Sequence, residues 1–246
     1  GAIPPRSAVA SSTAAVEAVA TDEEQCLPLA LRSLFAQPSV SSKLYLSDTP
    51  WSVASAETRG RRGYMEDKHF VHLFPDGSLC LGVFDGHGGT GAADYAKKSF
   101  ALIFEKYLYC PQLTQLIREN NPDASEIDQR KACIWNALKL AMVELHYNIL
   151  DGKSASESDF PSYCTDPSGT TACVVFIPAG HPEIWCANTG DSSAILVAKD
   201  GGVFPLSIDA KPRDPSLPPS KDAILQGIEL RGGCVLNSAP FGSTKP

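Results

Sequence analysis

No stretch of this 246-residue chain approaches the ~20 consecutive apolar residues that a membrane-spanning helix needs. The nearest candidates, such as residues 172–176, are short and β-branched and read as buried strands. An excess of positive charge is missing as well. Twenty-one Lys and Arg against 28 Asp and Glu leave a net charge of −7, which argues against nucleic acid or an anionic membrane as the partner. The eight cysteines (Cys26, Cys80, Cys110, Cys133, Cys164, Cys173, Cys186 and Cys234) include no C-x-x-C pair. That scatter argues against a disulfide framework or a zinc site and points to a reduced cytosolic or nuclear protein. Residues 1–20 have neither the basic start nor the long apolar centre of a secretory signal, and Pro5 stands where a myristoylation signal wants Ser or Thr. There is no internal repeat.

What is present suits a folded domain. Apolar residues make up 43% of the chain, an ordinary share for a globular protein of a length that can bury one sizeable core. Residues 1–47 are rich in Ala, Ser and Pro and read as an N-terminal extension, with a possible helix over 17–36 broken at Pro28. From Trp51 the texture changes. Trp51, Val53 and Ser55 alternate as a strand does, and runs 69–74 and 79–84 flank the turn Pro75-Asp76-Gly77, which predicts a hairpin. Helical spacing of apolar residues covers 91–108 and 126–150. Residues 151–167 read as a long polar loop. Strands are expected over 171–177, 183–188 and 193–198 as an antiparallel meander, then a hairpin turn at Lys199-Asp200-Gly201-Gly202 and a helix over about 221–230. Hairpins with helices between them predict an α+β layered domain over 48–246.

Two short segments carry the chemistry. Arg62-Gly63-Tyr64-Met65-Glu66-Asp67 sets an arginine and two adjacent carboxylates before a strand. Neighbouring strand residues point to opposite faces, so Glu66 and Asp67 cannot both be buried on one side. The pair suits either an exposed turn or a cation site. Val83-Phe84-Asp85-Gly86-His87-Gly88-Gly89 delivers an aspartate to the end of a buried strand, and glycines let the backbone bend close to whatever Asp85 binds. A carboxylate and a nearby carbonyl are hard oxygen donors suited to Mg²⁺ or Mn²⁺. His87 can donate a proton near neutral pH.

Arg62-x-x-Met65-Glu66-Asp67 followed by Asp85-Gly86-His87-Gly88-Gly89 resembles the opening signature of the PPM-type metal-dependent serine/threonine protein phosphatases. Ser168-Gly169-Thr170-Thr171-Ala172, Ala187-Asn188-Thr189-Gly190-Asp191-Ser192, Asp209-Ala210-Lys211-Pro212 and Gly232-Gly233-Cys234-Val235 resemble later motifs of that family, in family order. The resemblance implies a sandwich of two antiparallel β-sheets flanked by helices, with two divalent cations, Mg²⁺ or Mn²⁺, at one end. By resemblance, Asp85 bridges the metals, the Gly86 carbonyl binds one, and Glu66 and Asp67 hold their waters. Arg62 grips the substrate phosphate, and His87 protonates the departing serine or threonine oxygen. Thr171 and Asp191 support the site. The implied partner is a phosphoprotein substrate, met by a monomer without nucleic acid or membrane.

The pattern departs from the family in places. Ser193 and Ala210 stand where Arg and His are common, and Gly227-Ile228 where Arg-Ile is common. An Asp-Gly pair and an Asp-Asn pair expected near the family's C-terminal end are not found, so the domain is expected to lack its C-terminal portion. Without those carboxylates, Asp85 with a carbonyl and waters under-compensates two divalent ions. Three readings follow: an active phosphatase with further sequence, an inactive phosphatase-like domain that binds phosphoproteins or regulates a relative, or a truncated product without a stable fold.

Overall fold

The structure is a computed structural model that describes residues 7–11, 14–18, 40–45, 51–151, 168–210 and 223–232. It divides into two units, one running from Gly1 to Ile208 and the other from Asp209 to Pro246.

The first unit is built on two antiparallel sheets. One has four strands in the order β10-β9-β6-β5, formed by β5 (Lys68–Leu73), β6 (Leu79–Phe84), β9 (Ala172–Ile177) and β10 (Trp185–Thr189). The other has six in the order β12-β11-β1-β2-β4-β3. Its members are β1 (Ser7–Ser11), β2 (Ala14–Ala18), β3 (Val40–Tyr45), β4 (Ser52–Glu57), β11 (Ser193–Val197) and β12 (Val203–Pro205). The three strands from within residues 1–47 pair into this sheet: β1 with β11, and β2 and β3 with β4. Strand β2 occupies Ala14–Ala18 where a helix was expected to begin, and most of that expected helix lies outside the described residues. The small apolar residues there, with Val16 among alanines, carry no periodicity that separates a strand from a helix.

Strands β6 and β9 are buried along their whole length. Leu79, Leu81, Val83, Cys173, Val175 and Ile177 face a core shared with Val53 and Ala194 of the six-stranded sheet. Cys80, Phe84, Ala172, Val174 and Phe176 face the helices. A central strand covered on both sides has no polar face to show, which explains two near-continuous apolar runs. Each fully buried aliphatic or aromatic side chain contributes about 1.5–3 kcal/mol. This sandwich therefore rests mainly on these two strands.

Helix α1 (Gly91–Leu108) lies against β5 and β6 and packs on α3 (Glu126–Leu150). Ala93, Ala96, Ala137 and Ala141 are completely buried in this layer and let the helices approach. Ser125 caps α3 by accepting from the Asp128 N–H at 3.1 Å. A short helix not expected from the sequence, α2 (Pro111–Asn120), begins with proline at its first turn, packs on α3 and buries Ile117. The Pro75-Asp76-Gly77 hairpin forms as expected. Asp76 Oδ1 accepts from the Ser78 N–H at 2.8 Å, and Gly77 takes φ +82°.

The expected meander is corrected by the structure. β9 and β10 pair, but β11 leaves for the six-stranded sheet, where it lies between β1 and β12. The turn at Thr189-Gly190-Asp191 thus carries the chain from one sheet to the other. Spacing of turn residues marks where strands end but not which partner the next strand takes. In the second unit, α4 (Ala223–Leu230) forms close to expectation, and Gly232 (φ +82°) follows it. The long loop expected at 151–167 lies almost wholly outside the described residues.

Gly82 is the one residue of β6 that cannot carry a side chain. Phe70 from β5 lies over it, stacked on Phe84 at 5.7 Å between ring centroids and tilted against Phe100 at 5.8 Å. A Cβ at Gly82 would sit 2.1 Å from that ring. Gly82→Ala is expected to destabilise the protein by about 1–3 kcal/mol through overpacking, read as a lowered urea midpoint. An unchanged midpoint would mean that Phe70 can step aside.

Candidate functional site

Strand β6 ends at Phe84, and the next residue, Asp85, is held at both of its backbone groups by Thr171. The Asp85 N–H donates to Thr171 Oγ1 at 3.0 Å, and the Thr171 N–H donates to the Asp85 carbonyl at 2.9 Å. Beyond it, β7 (Gly86–His87) pairs with β8 (Gly169–Thr170), Gly86 opposite Thr170 and His87 opposite Gly169. A Cβ at position 169 would lie 2.4 Å from His87 Nε2 and would push the imidazole from its place. The imidazole therefore rests on bare backbone, with His87 itself exposed to solvent.

The carboxylates arrive from the other side. Asp67 is 6% exposed and hydrogen-bonds to Asp85. Burial first, and then the charge of Asp85 and that hydrogen bond, push its pKa up to about 6. Two carboxylates so close repel each other unless a cation sits between or beside them. Glu66 and Asp67 lie just before β5 rather than in it, and Glu66 Oε1 accepts from the Gly89 N–H at 2.6 Å. The Glu66 carbonyl lies so near Gly86 that a Cβ there would come within 2.4 Å of it. Gly88 (φ +69°) and Gly89 (φ +133°) complete a turn that few other residues could make.

These groups suit a hard divalent cation: two touching carboxylates, a third on the adjoining residue, and backbone oxygen close by, with no sulfur among them. Among the described residues, no three or more His, Cys, Asp or Glu converge as a complete cation cage.

Thr171 is itself braced. Its Oγ1 shares a hydrogen bond of 2.5 Å with Ser192 Oγ, and Ser192 is 2% exposed. Gly190 packs on the other face of Thr171, where a Cβ would fall 2.6 Å from Thr171 Cγ2, and its φ is +90°. Asn188 Nδ2 donates to the carbonyls of Gly190 and Ile208, at 3.3 and 3.1 Å. Asp191 lies exposed in the same turn. Ser168 Oγ accepts from the Ala92 N–H at 2.9 Å and so serves the first turn of α1, which Thr90 leaves uncapped. Glu66, Asp67, Asp85, Gly86, His87 and Thr171 are thus brought together, with Asp191 behind Thr171. Arg62 is exposed in the loop before Glu66.

Ser168 and Ser192 were not singled out from sequence as site residues. Both lie inside recognisable motifs, but their partners are 76 and 21 positions away. Only the pairing of strands brings those hydroxyls to their acceptors and donors.

The family model described as Protein phosphatase 2C matches residues 51–216. The chain belongs to this family. The matched range includes the segments around Ser168 and Gly190-Asp191-Ser192. Protein phosphatase 2C homolog 3 of Schizosaccharomyces pombe is 34% identical over 160 residues, covering 63% of this chain and 31% of its own length. Protein phosphatase 1L of Bos taurus is 27% identical over 165 residues, covering 65% of this chain and 39% of its own. A probable protein phosphatase 2C member 13, mitochondrial, of Oryza sativa subsp. japonica is 34% identical over 181 residues, with 72% and 39% covered. The chain thus spans less than half the length of these curated relatives.

The brace behind Asp85 can be tested by removing its hydroxyls. Thr171→Val keeps the shape but takes away the acceptor of the Asp85 N–H, and should cost about 1–3 kcal/mol of stability. Ser192→Ala alone should cost less. In the double variant the two effects should fall short of additive, with coupling of about 0.5 kcal/mol or more. Urea unfolding of the three variants measures it, and strict additivity would sink the idea of a connected brace.

Proposed function

We propose that this chain is the substrate- and metal-binding part of a metal-dependent protein serine/threonine phosphatase. The observation that carries this reading is the contact of Asp67 with Asp85 at the mouth of the glycine loop, where burial and mutual repulsion leave two carboxylates in want of a cation. Family membership supports the coarser statement, a protein phosphatase; the metal and the serine/threonine preference are our reading.

In this reading Asp85, Asp67, Glu66 and the Gly86 carbonyl hold Mg²⁺ or Mn²⁺, with further donors outside the described residues. Two such ions, when bound, neutralise phosphate charge and make water a better nucleophile at neutral pH. The rest belongs to the chain. Arg62 offers a planar fork of N–H donors that matches two phosphate oxygens. Thr171, fixed by Ser192 and Gly190, keeps the Asp85 backbone from drifting, so that its carboxylate meets the substrate in one place. His87, on its bed of Gly169, donates a proton to the serine or threonine oxygen as the P–O bond breaks. Asp191, in the turn beside Ser192, supports the site from behind. A general acid matters most when the leaving oxygen is a poor leaving group, as an alkoxide is. No step requires a thiol. Cys80 and Cys173 are buried; desolvation pushes the Cys80 thiol up, and the hydrogen bond with Cys186, followed by desolvation, pushes the Cys173 thiol up, both away from nucleophilic thiolate.

Two measurements on the full-length protein test the reading. Mn²⁺- or Mg²⁺-dependent phosphate release from a phosphothreonine peptide should be abolished by a chelator and by Asp85→Ala. Turnover that survives both would exclude the proposed site, and a folded protein without turnover would favour a phosphoprotein-binding role. His87→Gln should lower kcat on the phosphothreonine peptide by about 10²–10⁴-fold while leaving p-nitrophenyl phosphate, whose leaving group needs no proton, far less affected. Equal losses on both substrates would remove His87 from the role of acid.

A further inference from the structure

The loop joining β4 to β5 carries three arginines in four positions, Arg59, Arg61 and Arg62, in a chain of net charge −7. All three are exposed. The loop is folded back on itself. The Arg62 N–H donates to the Arg59 carbonyl at 3.2 Å, the Gly60 N–H donates to Thr58 Oγ1 at 3.3 Å, and Arg59 Nη1 donates to the Gly63 carbonyl at 3.0 Å. Gly60 takes φ +58° with open space around it. The guanidiniums are therefore shown from one closed turn and not from a floating strand.

Among the described residues, none of the three forms an ion pair. Arg130, by contrast, is bound to Glu183 at 2.7 Å. An acidic protein that leaves three neighbouring cations uncompensated has built a local anion-binding surface. Only one of them, Arg62, is used by the reaction read above. Beside them Tyr64 is 63% exposed, a flat apolar face next to the charges.

The loop is tied to the reaction site through Glu66, whose side chain holds Gly89 and whose carbonyl abuts Gly86. Arg61 and Arg59 stand five and seven positions before Glu66, a reach of at most about 18 and 25 Å of extended chain. An extended substrate peptide covers such distances in about five to seven residues of its own. A phosphate at Asp85 and a second anionic group a few residues along the same peptide can thus be held together.

We propose that Arg59 and Arg61, with Tyr64 alongside, form a recognition patch for a second anionic group on the substrate, a carboxylate or a further phosphate flanking the target phosphoresidue. This rests on the phosphatase reading and names its substrate class: acidic or multiply phosphorylated segments. Arg59 keeps N–H donors beyond the one spent on Gly63, since a guanidinium has five. The patch selects substrate and takes no part in bond breaking, so it acts on KM and not on kcat.

The test compares the full-length protein with Arg59→Ala/Arg61→Ala on four substrates. These are p-nitrophenyl phosphate and three phosphothreonine peptides of one core sequence, with neutral, glutamate-bearing or second-phosphate flanks. The native protein should prefer the anionic flanks over the neutral one by about 5–20-fold in kcat/KM at low salt, from two exposed charge contacts. The preference should shrink as salt rises. The double variant should lose it through KM, with p-nitrophenyl phosphate unchanged, and Arg59→Lys/Arg61→Lys should retain part of it. A glutamate flank that is favoured as strongly as a phosphate identifies charge as what is read; a phosphate flank favoured alone narrows the class to multiply phosphorylated segments. No preference in the native protein, or a preference intact in the alanine variant, overturns the proposal even if the phosphatase reading stands. If nothing is hydrolysed, that reading fails. Fluorescence anisotropy of the same peptides then decides the patch by itself, with tighter binding of anionic flanks lost in the alanine variant as the supporting result. Binding to phosphatidylserine vesicles without any peptide preference would overturn it in favour of a lipid-facing patch.

Discussion

Asp85 can present a carboxylate in a fixed place because Thr171, 86 positions further along the chain, engages both its amide and its carbonyl. A residue at the end of a strand ordinarily loses its ladder partners, and its orphaned backbone groups turn to water or to a side chain. Here one threonine supplies an acceptor and a donor together. The β6–β9 pairing is thereby extended past its last regular pair into the site. The short pairing of Gly86–His87 with Gly169–Thr170 continues the same line, so the glycine loop is an outgrowth of two strands buried along their whole length. Precision at the site and burial in the core are one arrangement.

The glycines around the site divide into two kinds by the reason for their presence. Gly88 and Gly89 bend the chain where a side chain would resist the backbone angles. Gly86 and Gly169 have ordinary angles but stand where any Cβ would strike the Glu66 carbonyl or the His87 ring. The first kind makes the turn, and the second makes room. Changing either kind would disturb the same few atoms by different routes, one through strain in the loop and the other through displacement of the groups that do the chemistry.

Much of this was legible in the sequence. The hairpin around Asp76, the helices Gly91–Leu108 and Glu126–Leu150, and the turn at Asp200-Gly201-Gly202 follow from local periodicity and turn chemistry, which is where sequence speaks most directly. The arrival of Asp85 at the end of a buried strand was equally plain, because an all-apolar run followed by glycines has few other uses. The destination of β11 was not legible, since a tight turn fits a hairpin and a crossing between sheets equally well. Nor were the roles of Ser168 and Ser192. A serine in a loop motif is commonplace, and its value depends on what lies opposite after folding. Strands from residues 1–47 were missed for a further reason: Ala and Ser are poor indicators of β-structure, and their pairing partners lie far along the chain.

The crossing at Gly190 carries a consequence for motion. Thr171 leads directly into β9 of the four-stranded sheet, while Ser192 leads directly into β11 of the six-stranded one. Their hydroxyl bond is therefore a rivet between layers that meet largely through apolar contact, which resists separation but slides with little resistance. Shear of one layer over the other must strain that rivet, as it must the contact of His69 with Glu57, 3.4 Å apart across the same two sheets. The Asp85 amide proton, locked behind it, would then exchange with solvent only when the layers themselves part, and so would report the opening of the whole sandwich from within a loop at its edge.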